Sequence, residues 1–158
     1  MSGPAEALLE ALRARGWLLA TAESCTGGLL AGAITEVAGS SDVFERGFVT
    51  YSNQAKIELL GVRRDVLNAH GAVSEPVAAE MAAGARAQSP ADIAVSVTGI
   101  AGPGGSDHKP EGRVCFGLST PRGTTTETVE FGAIGRSEVR RASVEHALQL
   151  VLHAAQLP

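Results

Sequence analysis

The chain reads as an α/β protein, a three-layer α/β/α sandwich with a mixed, mostly parallel sheet of about five strands. Three observations predict it. Apolar runs of strand length alternate with stretches of helical periodicity. Two of those strands run into Gly-rich turns. A hairpin near the C-terminus then sets at least one antiparallel strand into an otherwise parallel sheet. At 158 residues the chain is one domain's worth of sequence, and no repeat, low-complexity tract or Pro/Ser-rich linker divides residues 1–158.

Leu8, Leu9 and Leu12 recur at helical spacing over residues 5–15, with Gly16 placed as a C-cap, so a short amphipathic helix opens the chain. Residues 17–22 form a buried strand. It runs straight into Glu23-Ser24-Cys25-Thr26-Gly27-Gly28 and the apolar run 29–34, the first half of a buried helix. Residues 43–52, with Phe44, Phe48, Val49 and Tyr51, read as a second strand. Asn53 is the expected cap of a helix that turns Ala55, Leu59 and Leu60 inward and closes at Gly61. A helical turn covers residues 65–69. Ser74 precedes Glu75-Pro76 and the periodic Val77, Met81 and Ala85, a helix start with Pro in its first turn. Residues 92–97 are the clearest buried strand, and Thr98-Gly99-Ile100-Ala101-Gly102-Pro103-Gly104-Gly105 follows as the second Gly-rich turn. Residues 114–120 and 125–131 pair as a hairpin about Pro121-Arg122-Gly123. Val139, Ala142, His146, Leu150 and His153 share one face of a long closing helix.

Composition removes several function classes. Thirteen Lys and Arg against 17 Asp and Glu give a net charge of -4, the wrong sign for a surface that lives on a phosphate backbone. Aromatics at 4% leave few platforms for stacking bases, so nucleic acid is not an expected partner. Cys25 and Cys115 lie far apart with no His/Cys cluster around either, so neither a disulfide framework nor a metal site is expected, and the usage suits a reducing cytoplasm. Glu6 and Glu10 interrupt the N-terminal stretch where a signal peptide needs an apolar run, and no segment is apolar for long enough to span a bilayer. Neither secretion nor a membrane partner is expected.

In sheets of this kind ligands bind beyond the carboxyl ends of the strands, where glycine turns present backbone N–H groups to anions. The first turn offers Ser24, Thr26, Gly27 and Gly28; the second offers Thr98, Gly99 and Gly102. Neither is GxxxxGK[ST] or GxGxxG, so Walker-type and dinucleotide-binding readings lack support. A plain reversal of the chain remains the other reading of each turn. Between them, Tyr51 stands at a strand end and Lys56 in the first helical turn. By spacing alone Lys56 is a solvated surface lysine. Pointed into a cleft, it loses hydration, its pKa falls, and a neutral amine can take a proton from a serine hydroxyl. Cys25 has two readings as well, an activated thiol or a small buried hydrophobe. Side chains alternate along extended backbone, so Ser24 and Cys25 are not expected to share one cleft. Asp107 and His108 read as a solvated loop pair.

Ala22-Glu23-Ser24-Cys25-Thr26-Gly27-Gly28, then Gly47-Phe48-Val49-Thr50-Tyr51-Ser52-Asn53 with Lys56, then Gly71-Ala72-Val73-Ser74-Glu75, then Thr98-Gly99-Ile100-Ala101-Gly102-Pro103 with Lys109-Pro110 and Gly112 are four separate motifs. In that order, and over nearly the whole chain, they resemble the C-terminal domain of the CinA (competence-damage-inducible protein A) family, whose stand-alone members are nicotinamide-nucleotide amidases. The resemblance implies a three-layer α/β/α fold with a mixed five-stranded sheet. It also implies deamidation of nicotinamide mononucleotide to nicotinic acid mononucleotide and ammonia, with no cofactor. It puts the family's nucleophile on Ser24, its tyrosine on Tyr51, its lysine on Lys56 and the hydroxyl of its second loop on Thr98. Two departures stand out. The loop 102–109 is one residue shorter than the family pattern, and Glu111 replaces an apolar residue, commonly Val.

On this reading Lys56, steered by Tyr51, deprotonates Ser24 as it attacks the carboxamide, and N–H groups from Cys25 to Gly28 receive the oxyanion. The substrate's phosphate is expected on Thr98, Gly99 and Gly102; Arg140 and Arg141 of the last helix have two readings, charge partners of that phosphate or members of surface salt bridges. The alternative is a module that binds a nucleotide without turning it over. Exposed apolar faces of the Ala-rich helices make a homodimer the expected assembly.

Overall fold

The computed structural model describes residues 3–106 and 108–158. Asp107, read from the sequence as half of a loop pair with His108, lies outside them. The elements run α1 (Pro4–Arg15), β1 (Leu19–Glu23), α2 (Leu29–Thr35), a single 3-10 turn (Ser40–Asp42), β2 (Phe44–Val49), α3 (Asn53–Leu60), α4 (Arg64–His70), α5 (Glu75–Ala87), β3 (Ile93–Gly99), β4 (Arg113–Thr120), β5 (Gly123–Glu130) and α6 (Arg136–Gln156). The five strands form one sheet in the order β2-β1-β3-β4-β5. β1 pairs in parallel with both β2 and β3, while β4 is antiparallel to β3 and to β5, so β4 alone runs against the other four. The expected mixed α/β architecture is the observed one.

Period-two alternation divides the sheet between two cores. Leu19, Ile93, Val95, Val97, Val114 and Phe116 face α1, α2 and α6. Ala20, Ala22 and Ala94 face α3, α4 and α5. The second face is lined by small residues, and α5 accordingly lies close: Ser96 Oγ donates to the Ala78 carbonyl at 2.6 Å. A Cβ built on Gly117 would stand 2.3 Å from that same oxygen, so this glycine is required by proximity.

Element ends follow local chemistry. Gly16 and Gly61 close α1 and α3 in the left-handed region, both at φ 69. Ser52, one residue before the expected Asn53, caps α3 by accepting from the Ala55 N–H at 3.0 Å. The second strand stops at Val49 instead of running on to residue 52, because Thr50–Ser52 must turn toward α3. In α6 the expected face is rotated. Ser143, Val144, Ala147, Leu148 and Val151 are buried with Val139, whereas His153 is exposed and His146 sits on the flank, its ring tilted against that of Phe116 with centroids 4.5 Å apart. Small Ser143 and Ala147 let the helix settle onto the sheet, which an apolarity count underweights.

The parallel trio β2-β1-β3 has one consequence for function. All three carboxyl ends lie at one edge of the sheet, so the turns after residues 23, 49 and 99 meet there. The first turn of α6 comes to the same edge, through Arg136. No helix of the described residues is long and apolar enough to cross a membrane.

Candidate active site

At that edge lies a cleft of about 320 Å³, lined by Ser24, Cys25, Tyr51, Asn53, Lys56, Thr98, the loop 99–106 and Arg136. Ser24 follows β1 directly. Its backbone N–H donates to Val97 of β3, and its carbonyl receives the Gly27 N–H at 3.1 Å, closing a β-turn with Cys25 and Thr26 at its centre. Gly27 takes the positive φ of 56 that lets the chain leave this turn for α2. Ser24 and Cys25 both line the cleft, contrary to the alternation expected of extended backbone, because the chain is already turning at residue 24.

Lys56 is buried at 1% exposure, the largest fully buried side chain among the described residues. Its Nζ donates to Ser24 Oγ at 3.0 Å, to the Thr50 carbonyl at 2.9 Å and to the Tyr51 carbonyl at 3.2 Å. Burial pushes the amine from its ordinary 10.5 down to about 8, the Cys25 sulfur acting slightly the other way. Of the two readings open for Lys56, the structure selects the inward one. The Tyr51 contact to it runs through the backbone; the residue is 62% exposed, and its phenol oxygen accepts from Arg136 Nη2 at 3.1 Å.

Burial pushes the Cys25 thiol up to about 11, against smaller lowering effects from nearby backbone N–H groups and Arg140. A thiol of that kind stays protonated near neutrality. Glu23 is buried as well. Its carboxylate accepts from Leu30 and Ala31 N–H at 2.9 and 3.0 Å, occupying the start of α2. Thr26, Gly27 and Gly28 are absent from the cleft lining. Arg140 reaches the same turn from α6, with Nε on the Cys25 carbonyl at 3.0 Å and Nη2 on the Thr26 carbonyl at 3.3 Å. Arg141 instead forms exposed pairs with Glu138 and Glu145.

The second turn is built differently. Thr98, Gly99 and Gly102 all line the cleft, with Thr98 Oγ1 donating to the Ala72 carbonyl at 2.8 Å. Arg136 Nη1 donates to the Gly102 carbonyl at 2.5 Å. Glu111 lies beneath the loop and accepts from the Gly104 N–H at 2.6 Å. Lys109 ties the loop to the carbonyls of His70 and Val73. Among the described residues, no three His, Cys, Asp or Glu side chains gather to hold a metal.

The family model of the CinA C-terminal domain matches residues 2–155. The chain belongs to this family. It is 55% identical over 141 residues to the nicotinamide-nucleotide amidohydrolase PncC of Escherichia coli (strain K12), covering 89% of this chain and 86% of that one. A putative competence-damage inducible protein of Symbiobacterium thermophilum is 53% identical over 150 residues, which make up 89% of this chain and 35% of that longer protein. The crystal structure of competence/damage inducible protein CihA from Agrobacterium tumefaciens superposes with a TM-score of 0.89 at 47% identity, covering 99% of this chain and 98% of that one.

Three residues of this CinA domain's site escape a reading by sequence. Arg136 stands one helical turn before Arg140, and the spacing of four was the available signal that the two share a face. Glu23 and Thr50 had no signal of their own. Thr50 is fully buried; its N–H donates to the Glu23 carbonyl at 2.8 Å while its own carbonyl holds Lys56, so one residue ties the strand bearing the serine to the amine facing it.

Proposed function

We propose that the protein hydrolyses the carboxamide of nicotinamide mononucleotide, releasing nicotinic acid mononucleotide and ammonia, with Ser24 as nucleophile and Lys56 as its base. The observation that carries this reading is the 3.0 Å contact between Ser24 Oγ and a buried amine held at about 8. A neutral amine has two N–H donors and one lone pair. The carbonyls of Thr50 and Tyr51 take the donors, which leaves the lone pair for the serine proton. At pH 7 about a tenth of such amines are neutral, against about three in ten thousand for an ordinary lysine.

Ser24 Oγ bonds to the carboxamide carbon as its proton passes to Lys56 Nζ, and the carbonyl oxygen becomes an oxyanion. The N–H of Cys25, the turn residue that lines the cleft beside Ser24, is the donor for that oxyanion. As the C–N bond breaks, the Lys56 ammonium returns its proton to the departing nitrogen and ammonia leaves. Water then attacks the ester with Lys56 again as base, regenerating Ser24 and the acid. Arg136 and the Ala101 and Gly102 N–H groups, which find no acceptor among the described residues, offer a cationic place for the 5′-phosphate, with Thr98 beside it. The name of the 55%-identical Escherichia coli relative supports the choice of substrate.

The test is direct. Purified protein incubated with nicotinamide mononucleotide is expected to release ammonia and the deamidated nucleotide in equal amounts. Tight binding without ammonia would make the protein a nucleotide-binding module instead.

A further inference from the structure

The open loop of the cleft carries behind it a negative charge that the reaction does not use. Glu111 does not itself line the cleft, whereas Gly102 and Gly104 do. Its Oε1 accepts the Gly104 N–H at 2.6 Å, and its carboxyl lies against Gly102, where an added Cβ would stand 2.5 Å from Cδ. Among the described residues no Lys, Arg or His side chain forms an ion pair with it. Arg136 is engaged by the Gly102 carbonyl and the Tyr51 phenol, and Lys109 by the carbonyls of His70 and Val73. The carboxylate is half-buried, so water screens it incompletely. A phosphate oxygen bonded to the Gly102 N–H lies about 3 Å from that nitrogen. Laid end to end with the N–Cα and Cα–Cβ bonds, this puts the two anions within about 8.5 Å of each other, inside a Debye length of about 10 Å at 0.1 M salt.

We propose that Glu111 is a specificity-determining residue whose charge, set behind Gly102 and Gly104, weakens the cleft's preference for a phosphorylated nucleotide over the nucleoside that lacks the phosphate. Two effects act in the same direction. The carboxylate takes the Gly104 N–H, so that donor is not offered to an anion in the cleft. It also repels the phosphate that Arg136 and the Ala101 and Gly102 N–H groups attract. The substrate class widens accordingly to carboxamide nucleosides uncharged at the 5′ end, and the anionic product nucleotide leaves more readily. The inference rests on reading the protein as a nucleotide amidase with the phosphate on this loop.

The experiment compares the wild type with Glu111→Gln, which keeps an acceptor for the Gly104 N–H and loses the charge, and Glu111→Asp, which keeps the charge and draws it back from that N–H. Each is assayed on nicotinamide mononucleotide and on the corresponding nucleoside without phosphate, and each is titrated calorimetrically with nicotinic acid mononucleotide. Glu111→Gln is expected to lower KM for the nucleotide and Kd for the product nucleotide together, by about 3–10-fold. Its kcat and its KM for the nucleoside should stay within about twofold of the wild type. Glu111→Asp is expected to keep the wild-type ratio of the two KM values. An unchanged ratio in Glu111→Gln overturns the proposal, and so does a rise in KM for the nucleotide, which would make Glu111 a support of the phosphate loop. Equal losses on both substrates overturn it by making the role structural. A shift in Glu111→Asp as large as that in Glu111→Gln overturns it by assigning the effect to the hydrogen bond and not the charge. A wild type that binds the nucleotide but releases no ammonia refutes the amidase reading, while Kd for nucleotide against nucleoside in the same variants still decides the role of Glu111.

Discussion

The two glycine turns look alike in sequence, each mixing glycine with hydroxyl residues at the end of a buried strand, and the fold uses them in opposite ways. The turn 24–28 is closed: Glu23 occupies the N–H groups of Leu30 and Ala31, Arg140 holds two carbonyls, and Thr26 is fully buried. The loop 99–106 is open and forms much of the cleft wall, joined to Arg136 through the Gly102 carbonyl. Glycine serves reversal of the chain in the first and backbone access in the second. The proposed chemistry, which needs sub-ångström placement, sits on the rigid turn, and the proposed recognition of a solvated phosphate on the open one.

The sharpest way to break that division is Ser24→Ala. It is expected to abolish ammonia release while leaving the circular dichroism spectrum and melting temperature in place; turnover near the wild-type rate would remove the chemistry from the closed turn. Lys56→Met comes next, with kcat lowered by roughly 10²–10⁴-fold and KM little changed. The same amine sets the pH dependence. With its neutral form as the proposed base, kcat/KM should climb about tenfold per pH unit below about 8 and level off above it. A profile that falls with rising pH through that range contradicts the assignment.

Arg136→Ala probes the open side. A charged hydrogen bond contributes about 1.5–3 kcal/mol, so KM for the nucleotide should rise roughly 10–100-fold while the nucleoside is unaffected. Equal losses on both substrates would show that Arg136 acts on the chemistry and blur the contrast between the turns. The smallest effect is expected from iodoacetamide. With the Cys25 thiol buried and held at about 11, alkylation at neutral pH should leave activity nearly intact, and rapid inactivation would bring the thiol back as a nucleophile.

Much of this was legible in the residues alone. The layered α/β architecture follows from alternation and glycine placement, and both caps at Gly16 and Gly61 were readable because a left-handed residue after an apolar stretch has few other uses. The pairing of Ser24 with Lys56 was open, because spacing along a chain does not say which face of a short helix turns inward. The α6 stripe was misjudged where Ser143 and Ala147 stand in for larger apolar residues. Arg140 stood open between a charge partner of the substrate and a surface salt bridge, because the carbonyls it holds are invisible in a sequence. Thr50 carried no pattern, since its role lies in main-chain atoms that every residue type possesses.

Arg140 and the turn it grips are separated by 115 positions, and Arg136 reaches Tyr51 across 85. A ribosome-bound fragment ending before α6 holds the serine, the lysine and all five strands, yet has neither guanidinium. The cleft and the turn beside it are therefore completed only when the last helix docks, late in synthesis.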